Sequence, residues 1–223
     1  VFARVLLQTD VIGTLLRSGV RVIVLTPEPE SVGRYLHGRG LSQIDVEQLD
    51  VARYRSQERG LIKTLFRHLR AYGIRTTTVD GIFEMEWRDA WSGRNPGTLA
   101  MLAVTWIVTR LMRASGLVAK GVVALENRVD TPDALSDFIR RHAPQAMVVS
   151  STGTFDYDRY VIREAKRHGV RVVSYVQSWD NTTVRGLGVN LSDQHIVWSD
   201  VMKDELVELH RIAPDRVAVE GVP

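Results

Sequence analysis

Residues 146–176 read AMVVSSTGTFDYDRYVIREAKRHGVRVVSYV, and this stretch decides the fold. Ala146–Ser150 is a short uncharged run of strand length. Ser151-Thr152-Gly153-Thr154 is a polar turn, Phe155–His168 predicts a helix, and Gly169 stops it. Val170–Val176 is a second strand, rich in the β-branched residues that pack well on a pleated surface. Two strands joined through a helix need a crossover, so they run parallel in one sheet.

The same grammar extends in both directions. Toward the C-terminus, a loop over 177–190 precedes a strand at Gln194–Trp198, a helix at Val201–His210 and a strand at Arg216–Glu220. Toward the N-terminus, Thr131-Pro132-Asp133 has the form of a helix start leading to Arg141. Residues 81–120 read as helical, interrupted by Ser92–Gly97, and Gly60–Tyr72 reads as a helix stopped by Gly73. Ile44–Asp50 is a strand, and Thr26–Ser31 opens a short helix to about Gly38. Val20–Leu25 (VRVIVL) is a continuous apolar strand, and residues 2–18 form a helix stopped by Gly19. Alternation of this kind predicts an α/β fold: a Rossmann-like parallel sheet with helices on both faces.

Composition narrows the class. The chain has 223 residues, 44% of them hydrophobic and 25% charged, which suits one α/β domain rather than a disordered or fibrous chain. It contains no cysteine, which excludes disulfides and thiolate metal sites and favours a reducing compartment, the cytoplasm. Net charge is only +3, and no recognisable nucleic-acid module is present, so no nucleic-acid partner is expected. The six histidines are scattered without metal-ligand spacing; His168 and His210, in the last turns of their helices, read as compensating the helix dipole. GxxxxGK[ST], GxSxG and a strand-to-helix GxGxxG are all absent, so neither metal nor cofactor is expected.

In a parallel sheet, ligands bind beyond the carboxyl ends of the strands. Three loops lie there. In the first, Ser151, Thr152 and Gly153 let a ligand reach free backbone N–H groups at a helix start, although Thr154 or Asp156 could simply cap that helix. The second is Gln177–Gly186. Trp179 offers a flat apolar face to a sugar ring, Asp180 and Asn181 offer directional hydrogen bonds, Ser178 and Thr182 add hydroxyls, and Arg185 can grip a phosphate. The alternative is structural, with Trp179 plugging the sheet edge and Asp180-Asn181 forming an Asx turn. The third, Trp198-Ser199-Asp200, is explained by helix capping. Arg59, Lys63, Arg67 and Arg70 share one face of their helix, and Leu99–Thr109 is uncharged but far short of the roughly 20 residues that span a bilayer. Together they offer a surface for peripheral contact with an anionic membrane or a lipid-linked phosphate acceptor, but the plainer reading, a solvated helix face plus a core or dimer helix, is preferred.

The segments Ser174–Gly186, Ile196–Leu206 and Arg216–Pro223, in this order, resemble bacterial GT-B proteins of surface-carbohydrate synthesis. That group includes relatives of CDP-glycerol glycerophosphotransferases and UDP-GlcNAc 2-epimerases. The opening Phe2–Leu25 is similar to the start of such domains once their first strand is removed. The histidine-bearing loop of the glycerophosphotransferases is replaced here by Ser178-Trp179-Asp180-Asn181, and the epimerase His-Glu pattern is absent.

The resemblance implies that residues 1–223 are the single Rossmann-like, acceptor-side domain of a glycosyltransferase. A nucleotide-sugar donor would then be held mainly by a C-terminal domain outside this chain, and the acceptor would be a sugar or a lipid-linked sugar at the inner face of the membrane. A start without Met and an end on Gly221-Val222-Pro223 fit that expectation of a fragment. On this reading Asp180 is the catalytic base, and Ser151, Thr152, Gly153, Ser178, Trp179, Asn181, Thr182 and Arg185 contact substrate. An NDP-sugar epimerase and a non-catalytic binding domain are the alternatives.

Overall fold

The computed structural model describes residues 9–57, 60–150 and 157–221, and of residues 150 and 188–190 the backbone alone. The chain divides into two compact units, one running to Arg55 and the other from Ser56.

In the first unit, α1 (Val11–Arg17), β1 (Ile23–Thr26), α2 (Pro29–Gly38) and β2 (Asp45–Gln48) alternate, and α3 begins at Val51 and ends at Gln57. β1 and β2 pair in parallel, with Ile23 beside Asp45 and Thr26 beside Gln48. Ile12, Leu36 and Ile44 form the core, with Val24 and Val46 packed against it. Pro29 opens α2 with a fixed φ already suited to a helix.

The second unit has a helical part followed by an α/β part. Its helical part comprises α4 (Leu61–Ala71), α5 (Thr77–Ser92), α6 (Pro96–Ala114) and α7 (Gly116–Val129). The break expected at 92–97 is real: Asn95 caps α6 by accepting from the Thr98 N–H at 3.1 Å, and Pro96 takes the first helical position. A second break falls at Ser115, which caps α7 in turn. Phe66, Leu69, Tyr72, Ile74, Val79 and Met112 form the shared core, and the Tyr72 and Phe83 rings meet edge-on at 4.9 Å. Each such buried side chain contributes on the order of 1.5–3 kcal/mol.

The α/β part comprises α8 (Ser136–His142), β3 (Ala146–Ser150), α9 (Asp158–Arg167), β4 (Arg171–Tyr175), the single turn α10 (Asn181–Val184), β5 (Gln194–Val197), α11 (Asp200–His210) and β6 (Val217–Val219). The four strands are parallel and neighbours in chain order. The fold class is therefore α/β, with parallel sheets flanked by helices, consistent with a Rossmann-like fold. Alternation sets the faces: Val172, Ser174, His195, Val197 and Val217 are buried, while Val173, Tyr175 and Ile196 on the opposite side are half-buried. On the buried side, Val176, Met202, Leu206 and Ile212 join Val197 and Val217 in one core.

The helix expected from Thr131 begins five residues later, at Ser136. The intervening backbone and side chains have other partners. The Pro132 carbonyl accepts from Arg167, and the Asp133 carboxylate accepts from Gln57 at 2.7 Å.

Helix α9 is buried all round from Asp158 to Ala165, although that stretch carries Arg159, Arg163 and Glu164. Arg163 reaches Glu126 at 2.5 Å and Asp130 at 2.8 Å, both on the neighbouring α7 segment. Arg70 reaches the same Glu126 at 3.0 Å, and Lys63 reaches Asp130 at 3.2 Å. The basic face read from 59–70 is therefore not a uniform solvated stripe. Arg70 is buried and Lys63 half-buried, both turned toward carboxylates. Arg67 is exposed, and Arg59 lies outside the described residues. Burial lowers the Arg70 pKa to about 9, against the opposing pull of Glu126 and helped by the nearby Arg159 and Arg163 cations.

Candidate functional site

The carboxyl edge of the β3–β6 sheet carries the segment singled out in the sequence. β4 ends at Tyr175, and the Val176 N–H still donates to the Ile196 carbonyl at 2.9 Å. The chain then leaves the ladder. Gln177 is buried, Ser178 and Asp180 are half-buried, and Trp179 is 71% exposed. Asn181 and Thr182 turn inward, at 3% and 0% exposure. Arg185 is exposed.

Local chemistry explains this shape. The Asn181 N–H donates to the Ser178 carbonyl at 3.1 Å, and the Val184 N–H donates to the Asp180 carbonyl at 2.9 Å, closing the single turn of α10. Asp180 stands at its N-terminal cap position, but its carboxylate makes no capping bond. This uncapped carboxylate belongs to the residue that directly follows Trp179.

The turn is clamped from beneath. The Thr182 hydroxyl bonds the Glu205 carboxylate of α11 and lies 3.0 Å from the Trp179 carbonyl. His210 Nε2 donates to the Thr182 carbonyl at 2.6 Å. From the helical part, the Thr76 hydroxyl donates to the Thr183 carbonyl at 2.9 Å. Leu187 inserts into the core formed by Phe66, Leu69 and Tyr72. Gly186, at φ +68, lies so close to the end of α4 that a Cβ there would stand 2.8 Å from the Ala71 Cα. Only glycine fits both the conformation and the space.

His210 thus differs from its sequence reading. Burial pushes its pKa down to about 4, against the pull of the Thr182 carbonyl. It is a neutral donor near pH 7, not a cation balancing a helix end. His195, fully buried on β5 beside Ser174, is pushed down to about 3, chiefly by burial and then by the nearby Arg216 and His210. His168 stands at the C-terminal cap of α9, at the helix end where the sequence places it, 3.1 Å from the Ser136 hydroxyl.

Next to the turn, Trp198 Nε1 donates to the Tyr175 hydroxyl at 3.0 Å, and burial raises the Tyr175 pKa. Ser199 caps α11 through the Met202 N–H at 3.4 Å, as the sequence led one to expect.

The structure therefore brings Ser178, Trp179, Asp180 and Arg185 to the accessible side of one turn and gives Asn181 and Thr182 its inner side. Ser151, Thr152 and Gly153 lie outside the described residues. Glu205 and Thr76, which help anchor the turn, carry no signal in the sequence, and His210 reads there only as a helix-end residue. Each sits 20 or more positions away in the chain, and only the pairing of elements brings it near. No group of three or more His, Cys, Asp or Glu side chains suited to a metal ion occurs among the described residues. No described helix is long and apolar enough to cross a membrane. No family model, curated protein or solved structure matches this chain.

Proposed function

We propose that this chain is the acceptor-binding part of a nucleotide-sugar-dependent glycosyltransferase, working in surface-carbohydrate synthesis. The observation that carries the reading is the pairing of a highly exposed Trp179 with an uncapped Asp180 on a turn at the carboxyl edge of a parallel sheet. An exposed indole costs apolar hydration unless something covers it, and a sugar ring is a natural cover.

In this reading Trp179 stacks on the acceptor sugar, while Ser178 and Arg185 bond its hydroxyls or a phosphate. Asp180 accepts the proton of the attacking hydroxyl as that oxygen bonds the anomeric carbon of the donor and the nucleoside diphosphate leaves. Asn181 and Thr182 act from below by fixing the turn. Rigid placement matters because a misplaced base forfeits most of its advantage. The donor is held mainly by a further domain.

The test is transfer by protein that carries both domains. Asp180→Asn is expected to lower turnover about 10²–10⁴-fold with little change in acceptor affinity, and turnover near that of the wild type would remove Asp180 as the base.

A further inference from the structure

The uncharged run at 99–109 does not go into the core as a whole. In α6 only one side is buried, at Leu102, Thr105, Thr109 and Met112. Val104, Trp106, Ile107 and Leu111 face outward, each 45% exposed or more. α7 repeats the pattern, with Leu117 82% and Leu125 54% exposed. Isolated exposed apolar residues are ordinary, but two consecutive helices with apolar outer faces are not.

The charges on these helices have one sign at the surface. α6 and α7 carry Arg110, Arg113, Lys120, Glu126 and Arg128. Glu126, the lone acid, is buried and neutralised by Arg70 and Arg163. Arg113 is half-buried and bonded to Asp80 at 2.7 Å. What remains exposed is Arg110, Lys120 and Arg128. The Arg110 guanidinium lies over the Trp106 ring, 4.2 Å from its centroid. The acids of the neighbouring α5 include Glu84, which pairs with Arg88 on the same helix.

We infer that the outer face of α6–α7 docks on an anionic phospholipid surface, lying in the interface without crossing it. Apolar side chains enter the headgroup boundary, the cations meet lipid phosphates, and Trp106 with Arg110 sits at the headgroup level, where amphipathic rings are favoured. Charge complementarity selects this occupant over a second copy of the chain. A two-fold contact through this face would gather two sets of Arg110, Lys120 and Arg128 into one interface, with no exposed acid on α6 or α7 to offset them. The inference does not depend on the transferase reading, since it uses no residue of the Trp179 turn.

Sedimentation with vesicles tests it. The chain is expected to pellet with vesicles of phosphatidylcholine and phosphatidylglycerol in equal parts, weakly with phosphatidylcholine alone, and less as salt rises. Ile107→Asp with Leu117→Asp should abolish pelleting without changing the melting temperature, because both sites are exposed. Lys120→Glu, which leaves the apolar face intact, should weaken partitioning about five-fold or more. A wild-type chain that stays in the supernatant with the anionic vesicles would overturn the inference. So would unaltered binding by the double variant, or a chain that dimerises through this face and ignores lipid.

Discussion

Gly186 rests against the last turn of α4, its α-carbon so close to the Arg70 carbonyl and the Ala71 α-carbon that no side chain fits between them. This approach fixes where the turn carrying Trp179 and Asp180 re-enters the fold. Gly186→Ala meets both a left-handed φ of +68 and a backbone clash. The variant is expected to lose about 2–4 kcal/mol in urea unfolding.

The ion network beneath the sheet makes a second prediction. Arg163 bonds both Glu126 and Asp130, and all three are at most 6% exposed. Arg163→Met strips two buried carboxylates of their main partner and should cost about 3–5 kcal/mol. Chemical denaturation of the variant beside the wild type measures it.

Acid sensitivity follows from the histidines. His195 and His210 have folded pKa values pushed down to about 3 and about 4, whereas an unfolded histidine titrates near 6.5. Between these values the unfolded chain binds more protons, so stability is full above about pH 6.5 and falls as pH drops. Each histidine contributes a slope of about 1.4 kcal/mol per pH unit between roughly pH 6 and the folded values. His210→Gln keeps a donor for the Thr182 carbonyl and removes one titration. Its slope between pH 6 and 5 should be about half that of the wild type.

Thr182 joins the turn to α11 through Glu205 and His210. Thr182→Val deletes the hydroxyl and leaves the Glu205 carboxylate short of a donor, at a cost of about 1–3 kcal/mol. If the turn must be held rigid for ligand binding, affinity for sugar should fall as well, while Thr182→Ser restores both. Calorimetric unfolding and a sugar titration on the same variants read the two effects.

Much of the fold could be read from local signals. The uninterrupted runs at 146–150 and 170–176, with Gly169 between helix and strand, predict parallel pairing, and the observed register follows from them. In the helical region the break at 92–97 is legible from Ser92–Gly97, whereas the caps Thr76 and Ser115 are not, because each bonds a partner three residues away among neighbours that are also good helix formers. Arg70 was misread because periodicity locates a face without saying what the face meets; only the fold brings Glu126 to it. The same holds at the turn. Trp179 and Asp180 stand out by residue type, whereas the inward Asn181 and Thr182 look equally suited to a ligand until Glu205 and His210 claim that side.

The central claim is that the Trp179–Asp180 turn is a carbohydrate-binding face. The chain has five tryptophans, so a proton–nitrogen spectrum resolves five indole N–H signals, and Trp179→Phe identifies the one at the turn. Titrated with nucleotide sugars and oligosaccharide acceptors, the Trp179 indole is expected to shift in a saturable way while the exposed Trp91 and Trp106 stay in place. A Trp179 signal that stays fixed across the sugars, or that moves no more than those of Trp91 and Trp106, would contradict it.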